Sequence, residues 1–305
     1  MKPVASCRLV LATAIACLLS TAGQAQAKVI AYSSLQIINF TVVSGAEVLD
    51  LSSLNGVNIT AGNVSLRGTS ASDAFPMNDG DSDVPLVCIG DCAGIAQNDF
   101  SSVAMANPGW DFARADASLS GSIVRPLGFD NRTVAEAQLL TAGTASAEGV
   151  GQSILNMTTI DFTSGQSGEL ALTFEALGEL SVHSDEAAGA AMADFDLDIQ
   201  VFDLTNGGLL SFSVTSLNGR TSLEDLSASI SALGAEQFDF LVNDTFSLTL
   251  AGLLPENDYR LLIFQDASIS ASSAQAPPPV PEPFTVSLLG AGVAGLAAYR
   301  RKRLR

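Results

Sequence analysis

The stretch ADFDLDIQVFDL, residues 193–204, alternates between apolar and polar side chains along most of its length. In an extended chain every second side chain points to the same face. One face then carries the apolar set Phe195, Leu197, Ile199 and Val201, and the other carries Asp194, Asp196, Asp198 and Gln200. A period of two residues is typical of a β-strand with one buried and one solvated face. The stretch therefore predicts an antiparallel sheet that covers a core on one side.

Further segments along the chain have strand character, because they alternate or are rich in β-branched and apolar residues. These predicted strands are residues 34–43, 116–124, 153–162, 170–174, 209–214, 238–250 and 259–264. Turn residues separate them, for example at Asn206-Gly207-Gly208 and Asn218-Gly219. Many short strands with regular turns favour an all-β fold over any parallel α/β fold. We therefore predict an antiparallel, jelly-roll-like β-sandwich over residues 28–276.

Two parts of that domain do not follow the strand pattern. Residues 70–108 are the least regular and are predicted to form a long loop or insertion. Residues 223–233 carry leucine and isoleucine at helical spacing and are compatible with a short helix. No fixed-period repeat is present, which disfavours a solenoid or a propeller.

The chain is strongly acidic, with 32 Asp and Glu against 14 Lys and Arg and a formal net charge of −18. Such a chain is repelled by nucleic-acid phosphates and by anionic lipid headgroups. The sequence therefore excludes a nucleic-acid partner. Its single histidine, His183, also excludes most histidine-based metal centres and every catalytic triad that needs a second histidine.

The N-terminus has the pattern of a secretory signal peptide over residues 1–27. Lys2 and Arg8 precede an apolar run at residues 9–19. Ala25 and Ala27 then form a small-x-small cleavage site. The pattern predicts export through the Sec translocon and removal of the leader by signal peptidase.

The C-terminus combines three features in order. Residues 277–283 are a proline-rich linker, which proline keeps extended. Residues 284–299 are an uncharged apolar segment, close to the length of a single transmembrane helix. The chain then ends in a basic cluster made of Arg300, Arg301, Lys302, Arg303 and Arg305. By the positive-inside rule residues 300–305 form a cytoplasmic tail, which places the main domain outside the inner membrane.

This terminus resembles the PEP-CTERM sorting signal of exosortase substrates in Gram-negative bacteria that make exopolysaccharide. The resemblance covers residues 280–305 and implies that Pro281, Glu282 and Pro283 are the recognition tripeptide. It also implies that the apolar segment is a transient anchor, that the basic cluster is a stop signal and that an exosortase is a partner. The residues after the tripeptide, Phe284-Thr285, depart from the small residue more frequent there. A permanent tail anchor predicts the same topology and differs only in that the tail stays.

The only cysteines outside the leader are Cys88 and Cys92. In an exported protein such a pair is expected to oxidise, so we predict a small-loop disulfide. The spacing differs from the Cys-x-x-Cys of redox enzymes. A zinc site would need two further ligands, which a single distant histidine does not supply.

An acidic run at residues 79–83 resembles the beginning of a calcium loop, with carboxylates at Asp79, Asp81 and Asp83. An EF-hand needs Gly at position six and Glu at position twelve, where this chain has Val84 and Gly90. The EF-hand interpretation therefore fails. A solvated acidic loop is favoured over a looser Ca²⁺ site at these aspartates, and Ca²⁺ is the only cofactor that the sequence suggests.

Two other features have competing interpretations. The Cβ atoms of Asp194, Asp196 and Asp198 are ~7 Å apart from one to the next along a strand, a spacing that could serve a glycosidase pair or a bound cation. A water-facing strand surface is the favoured interpretation. Trp110 is interpreted as a core anchor rather than a sugar-stacking platform.

Together these features predict an exported, non-enzymatic protein, anchored transiently in the inner membrane and then placed at the cell surface or in the extracellular matrix. The alternative is a calcium-assisted module that binds polysaccharide. A glycoside-active enzyme is disfavoured, because aromatic residues make up only 6% of the chain and a single Trp is present.

Overall fold

The computed structural model describes residues 28–44, 47–48, 56–78, 82–106, 109–121, 129–148, 156–163, 168–185, 188–223 and 226–273. Within these ranges the chain forms sixteen β-strands and one 3₁₀ turn at Ala104–Ala106. No helix of the described part is long and apolar enough to cross a membrane. The predicted signal peptide, proline-rich linker, apolar segment and basic tail lie outside the described residues.

Eight strands form the first sheet, and every pairing in it is antiparallel. In spatial order the sheet contains β13 (Ser213–Ser216), β15 (Glu236–Leu253), β10 (Gly168–Ser184), β1 (Val29–Ser44), β7 (Phe129–Leu139), β6 (Phe112–Gly121) and β5 (Ser82–Gly90). The short β2 (Glu47–Val48) pairs with the end of β1.

The other eight strands form the second sheet, which is also antiparallel. Its main path contains β12 (Leu209–Leu210), β11 (Ala190–Asp203), β16 (Asp258–Ser273), β8 (Gly143–Glu148), β3 (Gly56–Leu66) and β4 (Thr69–Asn78). In addition, β14 (Ala228–Leu233) pairs with β11, and β9 (Asn156–Thr163) lies between β16 and β3.

One hydrophobic core contains side chains from both sheets. The stretch at residues 193–204 contributes as its alternation predicts, with its apolar set buried and Asp194, Asp196 and Asp198 on the outer face of β11. Gly178 of β10 lies opposite this apolar set. A Cβ at Gly178 would come within 2.6 Å of the Phe195 ring, so only glycine lets the two elements approach this closely.

A row of aromatic rings runs through the same core across three neighbouring strands. Phe174 of β10 stacks on Phe40 of β1, with ring centroids 5.6 Å apart, and on Phe246 of β15, with centroids 5.4 Å apart. Each of these rings is almost completely buried. Aromatic pairs at this spacing stabilise a core beyond the burial of their area.

The prediction of an all-β fold with antiparallel sheets is confirmed, and each predicted strand overlaps an observed one. The prediction of a loop over residues 70–108 is wrong in its first half, which contains most of β4 and all of β5. Pro76 and Pro85 interrupt the alternation there. Both strands lie at the edge of a sheet, where proline is tolerated, and the β5–β6 pairing shifts its register between Val84 and Val87, around Pro85.

The helix considered for residues 223–233 is also wrong over the described part of its C-terminal half. Residues 228–233 are strand β14, which pairs with residues 190–195 of β11. The spacing of Leu226, Ile230 and Leu233 suits a helix, but a short apolar pattern does not separate the two structures by itself. Pairing with a neighbouring strand decides the outcome here.

Candidate functional site

The sorting tripeptide, the basic cluster and the cleavage-site alanines lie outside the described residues, as do Asp79 and Asp81 of the acidic run. Asp83 is described and lies at the beginning of β5. Cys88 and Cys92 form a disulfide, with Cα atoms 6.3 Å apart. This bond joins the end of β5 to the segment that follows it in the chain.

Residues 91–106, which we call the cover segment, lie across the outer face of the first sheet. The segment packs two apolar groups on that face. Phe100 contacts Tyr32 and Val134, and Ala104 contacts Ile30 and Phe112. As a result, side chains on the outer face of β1, β6 and β7 are buried although they point away from the main core.

Polar side chains of the sheet bind this segment residue by residue between positions 98 and 104. The Tyr32 hydroxyl donates to the Phe100 carbonyl oxygen at 2.6 Å. Lys28 Nζ donates to the Ala104 carbonyl oxygen at 3.1 Å. The backbone amide of Asn98 donates to Asp116 Oδ2 at 2.6 Å. These contacts give hydrogen-bond partners to backbone groups of the segment that have no neighbouring strand.

The centre of this arrangement is an ion pair between Arg114 of β6 and Glu136 of β7. Arg114 Nε donates to Glu136 Oε2 at 2.8 Å, and both side chains are 0% exposed. The rest of the guanidinium donates to the carbonyl oxygens of Asp99 and Ser101. Because Arg114 and Glu136 lie opposite each other in the β6–β7 ladder, the sheet itself fixes the pair.

Glu136 also accepts hydrogen bonds from the cover segment. Its Oε1 atom accepts from the Ser102 hydroxyl at 2.6 Å and from the Ala104 amide at 2.8 Å. Its Oε2 atom accepts from the Val103 amide at 3.1 Å. A buried carboxylate needs this number of partners, because an unpaired one is very costly in a low dielectric. The ion pair therefore positions the cover segment on the sheet.

Trp110 lies just beyond the cover segment and packs on the cluster of Ile30, Ala104 and Phe112. Its carbonyl oxygen accepts a hydrogen bond from the Gln138 side chain at 2.8 Å. Its indole Nε1 is enclosed by protein. This placement fits the interpretation as a packing anchor and does not present the ring as a platform for sugar.

The three aspartates of β11 lie on the outer face of the second sheet, each next to a polar partner. Asp194 accepts from the Ser268 hydroxyl at 2.9 Å, and burial raises the pKa of this carboxyl. Asp196 and Asp198 accept from Ser227 and Gln200. His183, the single histidine, lies beside Asp185 with Nε2 and Oδ1 2.8 Å apart.

The outer face of the second sheet also holds a concave site of about 450 Å³, which we call the serine groove. Its hydroxyl-bearing lining residues are Ser65, Thr144, Ser146, Ser231, Ser270 and Ser272. The strand register brings them together, since Ser231 lies opposite Met192, Met192 opposite Ser270, and Ser270 opposite Ser146. Met192 and Leu233 are exposed apolar groups in the same lining. None of the lining residues is ionisable.

Sequence reasoning missed both the cover segment contacts and the serine groove. The sequence does contain a signal for the cover segment contacts. In Phe112-Ala113-Arg114-Ala115-Asp116 and Val134-Ala135-Glu136-Ala137, alanine alternates with charged residues on two strands. Alanines at Ala113, Ala115, Ala135 and Ala137 are the core side of those strands. No protein-family model, curated protein or solved structure matches this chain.

Proposed function

We propose that this chain is an exported surface or extracellular-matrix protein whose C-terminal tail is a PEP-CTERM sorting signal processed by an exosortase. The observation that carries the proposal is the order of Pro281-Glu282-Pro283, the apolar residues 284–299 and the basic residues 300–305 at the C-terminus. The signal peptide pattern at residues 1–27 supports export. Exopolysaccharide at the cell surface is the proposed surrounding of the mature domain.

The physical logic of the tail follows from its three parts. An uncharged apolar segment holds the exported chain in the bilayer, and the arginines oppose its full translocation. Prolines keep the tripeptide extended, as a cleavage enzyme requires. Strand β16 ends at Ser273, so the tripeptide follows after a connection that reaches at most about 27 Å when fully extended.

The domain ahead of the tail is proposed to be a jelly-roll-like β-sandwich with a structural or binding role. Two antiparallel sheets with a shared core support the sandwich, and the chain passes between the sheets many times. A catalytic role is not proposed, because the serine groove has no ionisable lining residue and the aspartates of β11 lie outside that lining. General acid–base chemistry needs such a residue at the site.

The sorting proposal predicts that Glu282→Ala stops release of the domain from the membrane fraction in the native host. The wild-type domain is expected to lose its tail and leave that fraction, whereas the variant keeps its apolar segment. Pro278→Ala changes the same linker outside the tripeptide and is the matched control, expected to behave as wild type. Immunoblotting of membrane and surface fractions checks the result. Release of the Glu282→Ala variant at the wild-type level would contradict the role of the tripeptide.

A second candidate function is polysaccharide binding, and the serine groove is the observation that favours it. Its volume lies within the ~300–1,000 Å³ typical of ligand sites. Serine and threonine hydroxyls both donate and accept hydrogen bonds, as sugar hydroxyls do. Met192 and Leu233 offer apolar surface to the C–H face of a sugar ring. The uncharged lining suits a neutral saccharide.

If the serine groove binds polysaccharide, Ser270→Arg is expected to weaken retention of the protein on exopolysaccharide isolated from the host at least tenfold. A long charged side chain in the middle of the hydroxyl row would fill the groove and exclude a neutral ring. Ser211→Arg adds the same charge at an exposed serine outside the groove lining and is expected to keep wild-type retention. Co-sedimentation with the polysaccharide checks both variants. Equal retention of the two variants would contradict saccharide binding in the groove.

A further inference from the structure

Two carboxylates lie next to each other beneath the cover segment, on the outer face of β5 and β6. Asp83 of β5 pairs with Ser118 of β6, which places Asp116 diagonally across the ladder. The neighbours Val84 and Ala115 belong to the main core, so both carboxylates point outward, toward the cover segment. Diagonal pairs of this kind are close enough for their side chains to interact.

Both carboxylates bind the same residue of the cover segment, Asn98. Its backbone amide donates to Asp116 Oδ2 at 2.6 Å, and its side-chain amide donates to Asp83 Oδ2 at 3.1 Å. Gln97 Nε2 donates to the same Asp83 oxygen at 2.9 Å. Asn98 has a positive φ of 61°, the left-handed conformation that asparagine tolerates better than most residues. Both aspartates therefore bind the turn of the cover segment at Asn98.

The second oxygen of each carboxylate has no partner. Asp83 Oδ1 and Asp116 Oδ1 are enclosed by protein and accept no hydrogen bond, and Asp116 is 0% exposed. Arg114, the nearby cation, is occupied by Glu136 and by two carbonyl oxygens. Burial, with a contribution from the Asp83 charge, raises the pKa of Asp116 to about 6. Enclosed carboxylate oxygens without partners are costly unless a counter-charge binds them.

We propose that Asp83 and Asp116 bind a Ca²⁺ ion between β5, β6 and the cover segment, with their Oδ1 atoms as ligands. The side-chain amides of Gln97 and Asn98 donate to the other oxygen of Asp83 and so hold this carboxylate in place beside the site. An all-oxygen donor set selects a hard cation. An enclosed site favours Ca²⁺ over Mg²⁺, because Mg²⁺ gives up its water shell reluctantly.

This site has different ligands from the Ca²⁺ site that the sequence suggests at Asp79, Asp81 and Asp83. The acidic run at residues 79–83 contributes Asp83, and the second carboxylate comes from β6, more than thirty positions further along the chain. Within the described residues no three acidic, histidine or cysteine side chains come together. Two carboxylates alone give weak binding, so we expect a dissociation constant of about 10⁻⁴–10⁻³ M, as in extracellular modules. The inference does not depend on tail processing or on saccharide binding.

The experiment is a thermal unfolding titration of the full-length protein in detergent, first stripped with EGTA and then given CaCl₂ up to 10 mM at constant ionic strength. The wild-type Tm is expected to rise by about 5 °C. MgCl₂ at the same concentration is expected to give a smaller rise. Asp116→Asn keeps the acceptor for the Asn98 amide and removes one charge, so this variant is expected to fold and to lose the Ca²⁺ response.

Asp99→Asn is the matched control, because it removes a carboxylate of the same segment that bonds only within the segment, to Ser101. It is expected to keep the wild-type response. Asp83→Asn is the second test variant and replaces Asp116→Asn if that protein does not fold. Loss of the response in a folded test variant, with Asp99→Asn unaffected, supports the site. No rise in wild-type Tm, or an equal rise in the folded test variants, overturns it.

Discussion

Replacing Glu136 with alanine is expected to lower the free energy of unfolding by about 3–5 kcal/mol. The variant leaves the Arg114 guanidinium buried with its charge uncompensated, since both partners are 0% exposed in the wild type. It also removes the acceptor for the Ser102 hydroxyl and for the amides of Val103 and Ala104. Equilibrium unfolding in urea measures the loss.

Glu136→Gln is the matched comparison for this prediction. It keeps the shape of the side chain and one carbonyl acceptor but removes the charge, so a smaller loss than with alanine is expected. In both variants the cover segment should also become the first site of limited proteolysis, because its backbone partners are weakened. An alanine variant within about 1 kcal/mol of wild type would show that the ion pair does not hold the segment.

Phe174→Ala is expected to destabilise the protein by about 3–5 kcal/mol, a typical cost for removing a buried aromatic ring. Phe174 is 1% exposed and lies between the rings of Phe40 and Phe246. Its removal leaves a cavity that the neighbouring strands cannot close, because three antiparallel ladders hold them in register. Urea unfolding at neutral pH measures the difference.

Phe238→Ala provides the control for the aromatic row. Phe238 lies on β15, as Phe246 does, but its side chain is 46% exposed. A loss below about 1 kcal/mol is expected for this variant. If the two alanine variants lost the same stability, the stacked rings would not be the part of the core that joins β1, β10 and β15.

Local alternation predicted those strands in which one face is buried and the other is solvated. Strand β11 is the clearest example, since Phe195, Leu197, Ile199 and Val201 are buried and Asp196 remains exposed. Strand β7 was missed because it is buried on both faces, with Glu136 and Gln138 covered by a segment from elsewhere in the chain. The assumption that the polar residues of a strand face solvent fails where an irregular segment covers the sheet.

The candidate sites could not be predicted because each depends on contacts between distant parts of the chain. The serine groove forms only when the register of four strand pairings brings Ser65, Ser146, Ser231 and Ser270 together. The bond from Tyr32 to the Phe100 carbonyl likewise joins residues 68 positions apart. By contrast, a disulfide between Cys88 and Cys92 was predictable, because it closes a short local loop.

Export of the chain and removal of its tail by an exosortase can be tested by intact mass spectrometry. The protein is taken from its native host with and without a working exosortase. A mass that ends near Pro281–Pro283 is expected only when the enzyme is present. A mass that still includes Arg305 in both strains would contradict it, and the apolar segment at residues 284–299 would then be a permanent anchor.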